Sequence, residues 1–346
     1  MVTIKEIAQK CGVSATTVSN ILNGKAKASE TTVQQVMQVV QEMGYQPNYI
    51  ARGLRSSRTK MIGIIAEDIA QFTTPDMIES IMECCEEKGY RTIVQNLRLY
   101  GRWQDQWYYR ESDYRSILEP ALKDLISMKV DGIIYVAGHA RIIHAFTENV
   151  KVPAVMAYAY SGSENIPSVV IDDEVSAYEM TRYLLQMGHR KIGVIGGCID
   201  NIHTQKRLVG YQKALFEEQV LFDPNLIYYG DWERESGYSG MDYMSNQGIT
   251  AIFCMSDRMA GGIYDYLEEK GMRAGDDISV ASFDDWEGAS FFSPKLTTTR
   301  LPLNEIGRTS AEILFQIIEE ENSVSEHEIR IPCEIRIRGS VAEFKD

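Results

Sequence analysis

Residues 12–24 read GVSATTVSNILNG, a short uncharged stretch with four hydroxyl side chains and Asn20 between two glycines, in a chain whose formal net charge is −14. Placing Val18, Ile21 and Leu22 on one face of a helix leaves Ala15, Thr16, Ser19 and Asn20 on the other, and Ser14 is a suitable N-cap. The stretches on either side agree. Thr3-Ile4-Lys5-Glu6 has the spacing of a capping box, which predicts a helix from about Ile4 with Ile4, Ile7 and Ala8 inward, ended by a tight turn at Gly12. A third helix is expected from about Ser29 to Met43, with Val33, Val36, Met37 and Val40 as its apolar stripe and Gly44 as its stop. Three short helices around one small core, the first two joined by a three-residue turn, form a helix-turn-helix.

In that arrangement the second helix offers its exposed side chains to the major groove. Asn pairs bidentately with adenine, while Ala or a Thr methyl touches the thymine methyl, so Ala15, Thr16, Ser19 and Asn20 are candidate base readers. Ser14 and Thr17, flanked by Thr3 and Asn23, suit phosphates, which position a helix without reading sequence. The plainer alternative is a solvated surface helix. Charge argues against it: residues 1–60 hold eight Lys and Arg against three Glu, a net +5, leaving −19 on the rest. A cationic head on an anionic body suits local contact with nucleic acid and not coating of nucleic acid or an anionic membrane.

At 346 residues with 44% hydrophobic content, the chain exceeds one ordinary core. After residue 60, short apolar runs alternate with amphipathic stretches: MIGIIAE, RTIVQNL, DGIIYVA, VPAVMAY, PSVVID, KIGVIGG, NLIYYG, AIFCMS and ISVASFD. This predicts parallel sheets with crossover helices, hence two doubly wound α/β lobes behind the all-α head. Between them, YQPNYIARGLRSSRTK (45–60) reads as a marginal helix and linker, with Ile50, Ala51 and Leu54 as a weak stripe. The aromatic and charged segment 99–114, LYGRWQDQWYYRESDY, exceeds an ordinary βα connection.

The six cysteines show no C-x-x-C spacing, the histidines do not cluster, and no Gly-Lys-Ser/Thr phosphate loop or G-x-S-x-G elbow occurs. No metal, cofactor or catalytic residue is expected. Cys84 and Cys85 are assigned to a core helix. With no secretory signal and no apolar run of membrane length, a cytoplasmic protein is expected.

In two-lobed α/β folds small ligands lie at the carboxyl ends of the strands. The polar candidates there are Asp172 and Asp173, Asn201 and His203, Trp232, Ser256 and Asp257, and Asp284 and Asp285, with Phe72, Thr73 and Thr74 from the first lobe. Asp257 is also suited to cap a helix, and Trp232 to fill a core.

TIKEIAQKCGVSATTVSNILNG (3–24) and GYQPNYIARGLRSSRTKMIGII (44–65) resemble the DNA-binding head and hinge of LacI/GalR-type bacterial transcription regulators. The likeness continues through MGHRKIGVIGG, KRLVGYQKAL, GDWERESGY, SDRMAGGIYDYLEEKG, DISVASFDDWEGASFFSPKLTTTR and RGSV, in order along nearly the whole chain. It implies a body similar to periplasmic sugar-binding proteins and a homodimer on palindromic operator DNA. It implies too a hinge that folds on DNA, where Leu54 wedges into the minor groove beside Ala51, Arg52 and Arg55. Gly53 and Asn20 depart from the usual residues of that pattern. For the pocket it singles out Arg207, Trp232, Ser256 and Asp284, a set suited to sugar hydroxyls and a pyranose face. Related pockets take nucleobases or nucleosides, and some members answer to a partner protein.

The expected organisation is a helix-turn-helix domain (1–46), a hinge helix and linker (47–60) and a two-lobed effector-binding and dimerisation domain (61–346). Its first lobe would be about 61–160 plus 291–320 and its second about 161–290 plus 321–346. The expected function is an effector-controlled, sequence-specific transcriptional repressor, not an enzyme, and with no leucine heptad at the carboxyl end a dimer. The alternatives are a solute-binding transport component, which would need an export signal and no basic head, and a sugar-modifying enzyme working through Asp172, Asp173, Asp284 and Asp285.

Overall fold

A computed structural model describes residues 2–22, 28–45, 58–103, 111–146, 150–320 and 326–345. The chain divides into two compact units, Met1–Thr59 and Lys60–Asp346.

The first unit holds α1 (Ile4–Cys11), α2 (Ala15–Leu22) and α3 (Glu30–Glu42). Thr3 and Glu6 form a complete capping box, and Gly12 closes α1 at φ +67°, a left-handed value that glycine adopts without a Cβ penalty. Ile7, Val18 and Val36 are completely buried, one from each helix, with Ala8, Cys11, Ile21 and Val39 around them. One expected core position fails. Met37 is 49% exposed and Val39 is buried in its place. At about 100° per residue, a stripe centred on Val36, Val39 and Val40 puts Met37 on its outer edge. Asn23 and the hinge calls at Ala51, Arg52, Leu54 and Arg55 lie outside the described residues.

The described residues of the second unit form two six-stranded sheets and a two-stranded ribbon. In chain order its elements are β1 (Met61–Ala66), α4 (Thr74–Glu87), β2 (Arg91–Asn96), α5 (Leu99–Trp103), α6 (Glu111–Ser127) and β3 (Gly132–Val136). β4 (Ile142–Ile143), β5 (Ala154–Ala157), β6 (Tyr160–Ser161), β7 (Ser168–Ile171), α7 (Asp173–Gln186) and β8 (Ile192–Gly196) follow. Then come α8 (Ile202–Glu217), β9 (Ile227–Tyr229), α9 (Arg234–Met244), β10 (Ala251–Cys254), α10 (Asp257–Glu269) and β11 (Ser279–Asp284). β12 (Thr297–Arg300), α11 (Leu303–Glu320), β13 (Glu328–Ile331) and β14 (Glu334–Arg336) complete the order. The first sheet runs β13-β7-β5-β3-β1-β2 and the second β14-β12-β11-β10-β8-β9. Among the described residues every pairing is parallel except β12 with β14. Strands buried on both faces explain the continuous apolar runs: β3, β5, β8 and β10 have no exposed residue.

The lobe boundaries differ from those expected. Ser168–Ile171 pairs with β5 and β13 in the first sheet, Thr297–Arg300 pairs with β11 in the second, and Glu328–Ile331 returns to the first. The chain therefore crosses between lobes after β7, after β12 and after β13. The first lobe carries 61–171 with α11 and β13, and the second carries α7 to β12 with β14. An apolar run has the same appearance whichever sheet it joins, so register alone reveals its lobe.

Candidate nucleic-acid interface and effector cleft

On α2, Thr16 and Asn20 are exposed, while Ser19 is half-buried and Ala15 is half-buried against the core. Ser14 Oγ accepts from the Thr17 N–H at 3.0 Å and lies 2.8 Å from the Thr17 hydroxyl. These two hydroxyls organise the start of the helix. The Thr3 hydroxyl is likewise engaged, donating to Glu6 Oε2 at 3.0 Å. Among the described residues, Thr16 and Asn20 therefore stand out as the exposed side chains on this face that make no hydrogen bond.

In the second unit, the carboxyl ends of the strands carry the polar residues. β7 is followed by Asp172 and Asp173, which part ways at the first turn of α7. Asp172 is the cap, its Oδ1 accepting from Val175 N at 3.1 Å, while Asp173 is buried. Asp173 Oδ2 takes the His203 Nδ1–H at 2.8 Å and its Oδ1 takes Arg207 Nε–H at 2.8 Å. The His203 Nε2 accepts from Ala140 N–H at 3.2 Å, which with Asp173 on the other side assigns the proton to Nδ1. Arg207 is 2% exposed, donates from Nη1 to the Met255 carbonyl at 2.6 Å and lies over the Phe283 ring. Burial alone would raise the Asp173 carboxyl, but His203 and Arg207 outweigh it and hold it below the usual carboxylate range.

Asn201 caps α8, accepting from His203 N, and Ser256 caps α10, accepting from Arg258 N and Met259 N. The residue after that cap, Asp257, accepts from Trp286 N at 2.9 Å and from the Thr298 hydroxyl at 2.7 Å, and burial pushes its carboxyl up to about 7. Burial, with Asp257 beside it, also pushes Asp284 well above its ordinary value. Asp285 instead pairs with Arg300 at 3.1 Å and Arg338 at 2.6 Å.

Of the eight non-glycine residues with positive φ among the described residues, four lie at these strand ends: Tyr158 (65°) after β5, Trp232 (73°) after β9, Asp284 (119°) ending β11 and Asp285 (52°). Such conformations cost about 1–3 kcal/mol each and persist where surrounding contacts enforce them, commonly around ligands. The Trp232 indole lies so close to Gly197 that a Cβ there would overlap it. Tyr158 is buried, with its ring 5.5 Å from that of His203.

In the first lobe, Phe72 is 43% exposed, the Thr73 hydroxyl donates to Gly138 O at 3.1 Å, and Thr74 is buried with no hydrogen-bond partner for its hydroxyl. The polar core of this lobe is not among the residues expected from sequence. Glu67, ending the MIGIIAE run, accepts from Tyr135 Oη and Gly138 N, each at 2.8 Å, and pairs with Arg141; Tyr135 in turn accepts from Tyr114 Oη at 2.8 Å. Glu67 follows the end of β1 as the second lobe's carboxylates follow theirs, and that position is its signal in the sequence. The aromatic segment is thereby tied to the cleft side of the lobe at its end through Tyr114, and at its start through Gly101 N to Asp68 Oδ2. Among the described residues no group of His, Cys, Asp and Glu could hold a metal ion, and no helix is long and apolar enough to cross a membrane.

Residues 3–48 match the model of bacterial regulatory proteins of the lacI family, and residues 181–341 that of a periplasmic binding protein-like domain. The chain is 30% identical over 335 residues to the HTH-type transcriptional repressor PurR of Vibrio atlanticus (strain LGP32), covering 96% of this chain and 95% of that one. It is 32% identical over 336 residues to the HTH-type transcriptional regulator RegA of Clostridium saccharobutylicum, covering 94% and 97%. Its fold matches the lac repressor dimer bound to operator and the anti-inducer ONPF with a TM-score of 0.80 and 25% identity, over 99% of both chains. A LacI family regulator from Enterococcus faecium with bound ribose matches with a TM-score of 0.64 and 25% identity, over 82% of this chain and 100% of that one.

Proposed function

The chain belongs to the lacI family of bacterial regulatory proteins, and on that premise we propose that it is a homodimeric repressor, acting in the cytoplasm, whose hold on palindromic operator DNA is set by a sugar in the cleft between its lobes. It is a sequence-specific DNA-binding transcription regulator. It acts by binding and not by catalysis. Thr16 and Asn20 read base edges, while Ser14, Thr17 and Thr3 brace the reading helix. In the cleft, Arg207 and Asp284 face sugar hydroxyls and the Trp232 indole covers the apolar face of the ring.

The observation that carries this reading is the buried Asp173–Arg207 pair at the strand ends, set among backbone positions held in strain. A buried arginine that retains unused N–H groups beside a carboxyl able to donate or accept suits a ligand rich in hydroxyls. The Enterococcus faecium neighbour with bound ribose agrees with it.

The test has two arms. Selection of palindromes from the host genome by the purified protein should yield a salt-sensitive preference for particular sites. A thermal-shift screen of mono- and oligosaccharides and nucleosides should give at least one stabilising ligand, worth about 2.7 kcal/mol at a hundredfold its dissociation constant. A nucleoside hit with no sugar hit would overturn the sugar assignment, and no preferred palindrome with or without ligands would overturn the whole reading.

A further inference from the structure

The start of α8 belongs to the second lobe, yet Ile202, His203 and Lys206 reach across to the first. Ile202 packs against Ala140, Tyr160 and Val170, all of the first lobe. The Lys206 ammonium lies 4.5 Å from the centre of the Tyr160 ring and 3.7 Å from Glu328 on β13. Between these two contacts His203 spans the lobes with its ring nitrogens, Nδ1 toward Asp173 at 2.8 Å and Nε2 toward the Ala140 N–H at 3.2 Å.

A neutral imidazole has one donor and one acceptor, and the partner at one nitrogen fixes the role of the other. Asp173 accepts only, so it holds the proton on Nδ1, and Nε2 is thereby left as the acceptor for the first lobe. The same carboxylate is shared with Arg207. We propose that His203 is the residue that couples the cleft to the lobe angle: Asp173 sets its tautomer, and that tautomer decides whether the first lobe is held through Ala140. Were Asp173 drawn from Nδ1, the ring could carry its proton on Nε2 instead. A donor would then face the Ala140 N–H, and the latch would open. His203 in this role is a positioning residue, bonded within the protein on both sides. The link to ligand occupancy rests on the effector reading above, whereas the latch itself does not.

The test uses the full-length protein without ligand. In 15N-histidine-labelled protein, with the His203 signal assigned by its loss in His203→Gln, the wild type should show Nδ1 protonated and Nε2 bare. Amide exchange followed by mass spectrometry should find Ala140 protected. His203→Leu should speed its exchange about five- to tenfold, the scale of one lost hydrogen bond. His203→Gln, whose amide oxygen can accept near the place of Nε2, should keep protection close to wild type. Unchanged exchange across Ala251–Cys254 would show that the second lobe remains folded. Ala140 exchanging alike in wild type and His203→Leu would overturn the proposal, as would a wild-type ring protonated on Nε2. If His203→Leu fails to fold, the wild-type tautomer decides. Operator selection is measured separately, so loss of the latch and loss of the regulatory reading give different results.

Discussion

Arg207 lies with its guanidinium carbon 3.6 Å from the centre of the Phe283 ring while its Nε donates to Asp173 at 2.8 Å, so the cation is held between an aromatic face and a buried carboxylate. Neither partner is replaceable alone. Phe283 lies on β11 and Asp173 on α7, and Arg207 ties the two elements at the floor of the cleft. A buried ion pair adds little net stability over an apolar substitute, but removing one member leaves the other charged and without compensation.

Asp173→Ala should therefore destabilise the protein by about 3–5 kcal/mol, read as a fall in the urea midpoint. The double substitution Asp173→Asn with Arg207→Met should recover part of that loss, since it removes both charges and nearly keeps the volume. An Asp173→Ala protein within about 1 kcal/mol of wild type would mean that Arg207 is solvated in a way its 2% exposure does not allow.

The paired carboxyls Asp257 and Asp284 give a pH dependence of unusual sign. Asp257 is raised from 3.8 to about 7, and Asp284 moves the same way. The folded chain therefore binds more protons than the unfolded one, so the contribution of Asp257 to stability falls as pH rises from about 4 through about 7, and Asp284 acts in the same direction. The slope contributed is at most about 1.4 kcal/mol per pH unit for each proton. Asp257→Asn cannot ionise, and the Thr298 hydroxyl can turn to accept from its amide, so this variant should gain on wild type across that window. Parallel stability profiles for the two proteins from pH 4 to 8 would count against the assignment.

Much of this architecture was legible in the chain because local chemistry decides it. Thr3 and Glu6 announce a helix start, Gly12 its end, and the apolar runs from MIGIIAE onward announce strands covered on both faces. Lobe membership was not legible, because Ser168–Ile171 and Thr297–Arg300 owe their places to crossovers that leave no mark on composition. The choice between Asp172 and Asp173 was also hidden, since it depends on which carboxylate the first turn of α7 sends inward. The Glu67 network escaped for a different reason. Its partners Tyr114, Tyr135 and Arg141 are scattered in sequence and converge only once β1 and β3 are paired.

Close approach of α7 and α8 depends on one glycine. A Cβ at Gly210 would sit 2.1 Å from the carbonyl oxygen of Glu174 and 2.8 Å from Tyr178 N, both backbone atoms that cannot swing aside. Gly210→Ala should force the helices apart and cost at least about 1–3 kcal/mol, the usual range for overpacking. The α8 turn bearing His203 and Arg207 would move with them. A melting temperature unchanged from wild type would show that the helices separate freely.

On α2 the hydroxyls divide into two kinds, and substitution should separate them. Ser14 is engaged with the Thr17 N–H, so Ser14→Ala should cost about 1 kcal/mol of helix-turn-helix stability through the lost cap and weaken binding to all operators alike. Thr16 and Asn20 are exposed, so alanine at either should leave stability within about 0.5 kcal/mol of wild type, as surface changes generally do. Each should instead relax base preference at one position of each half-site, by about 1–3 kcal/mol where Asn20 pairs bidentately. Operator selection repeated with Asn20→Ala gives the decisive comparison. If the selected half-sites match those of wild type base for base, Asn20 contacts no base and the reading face lies elsewhere on the helix.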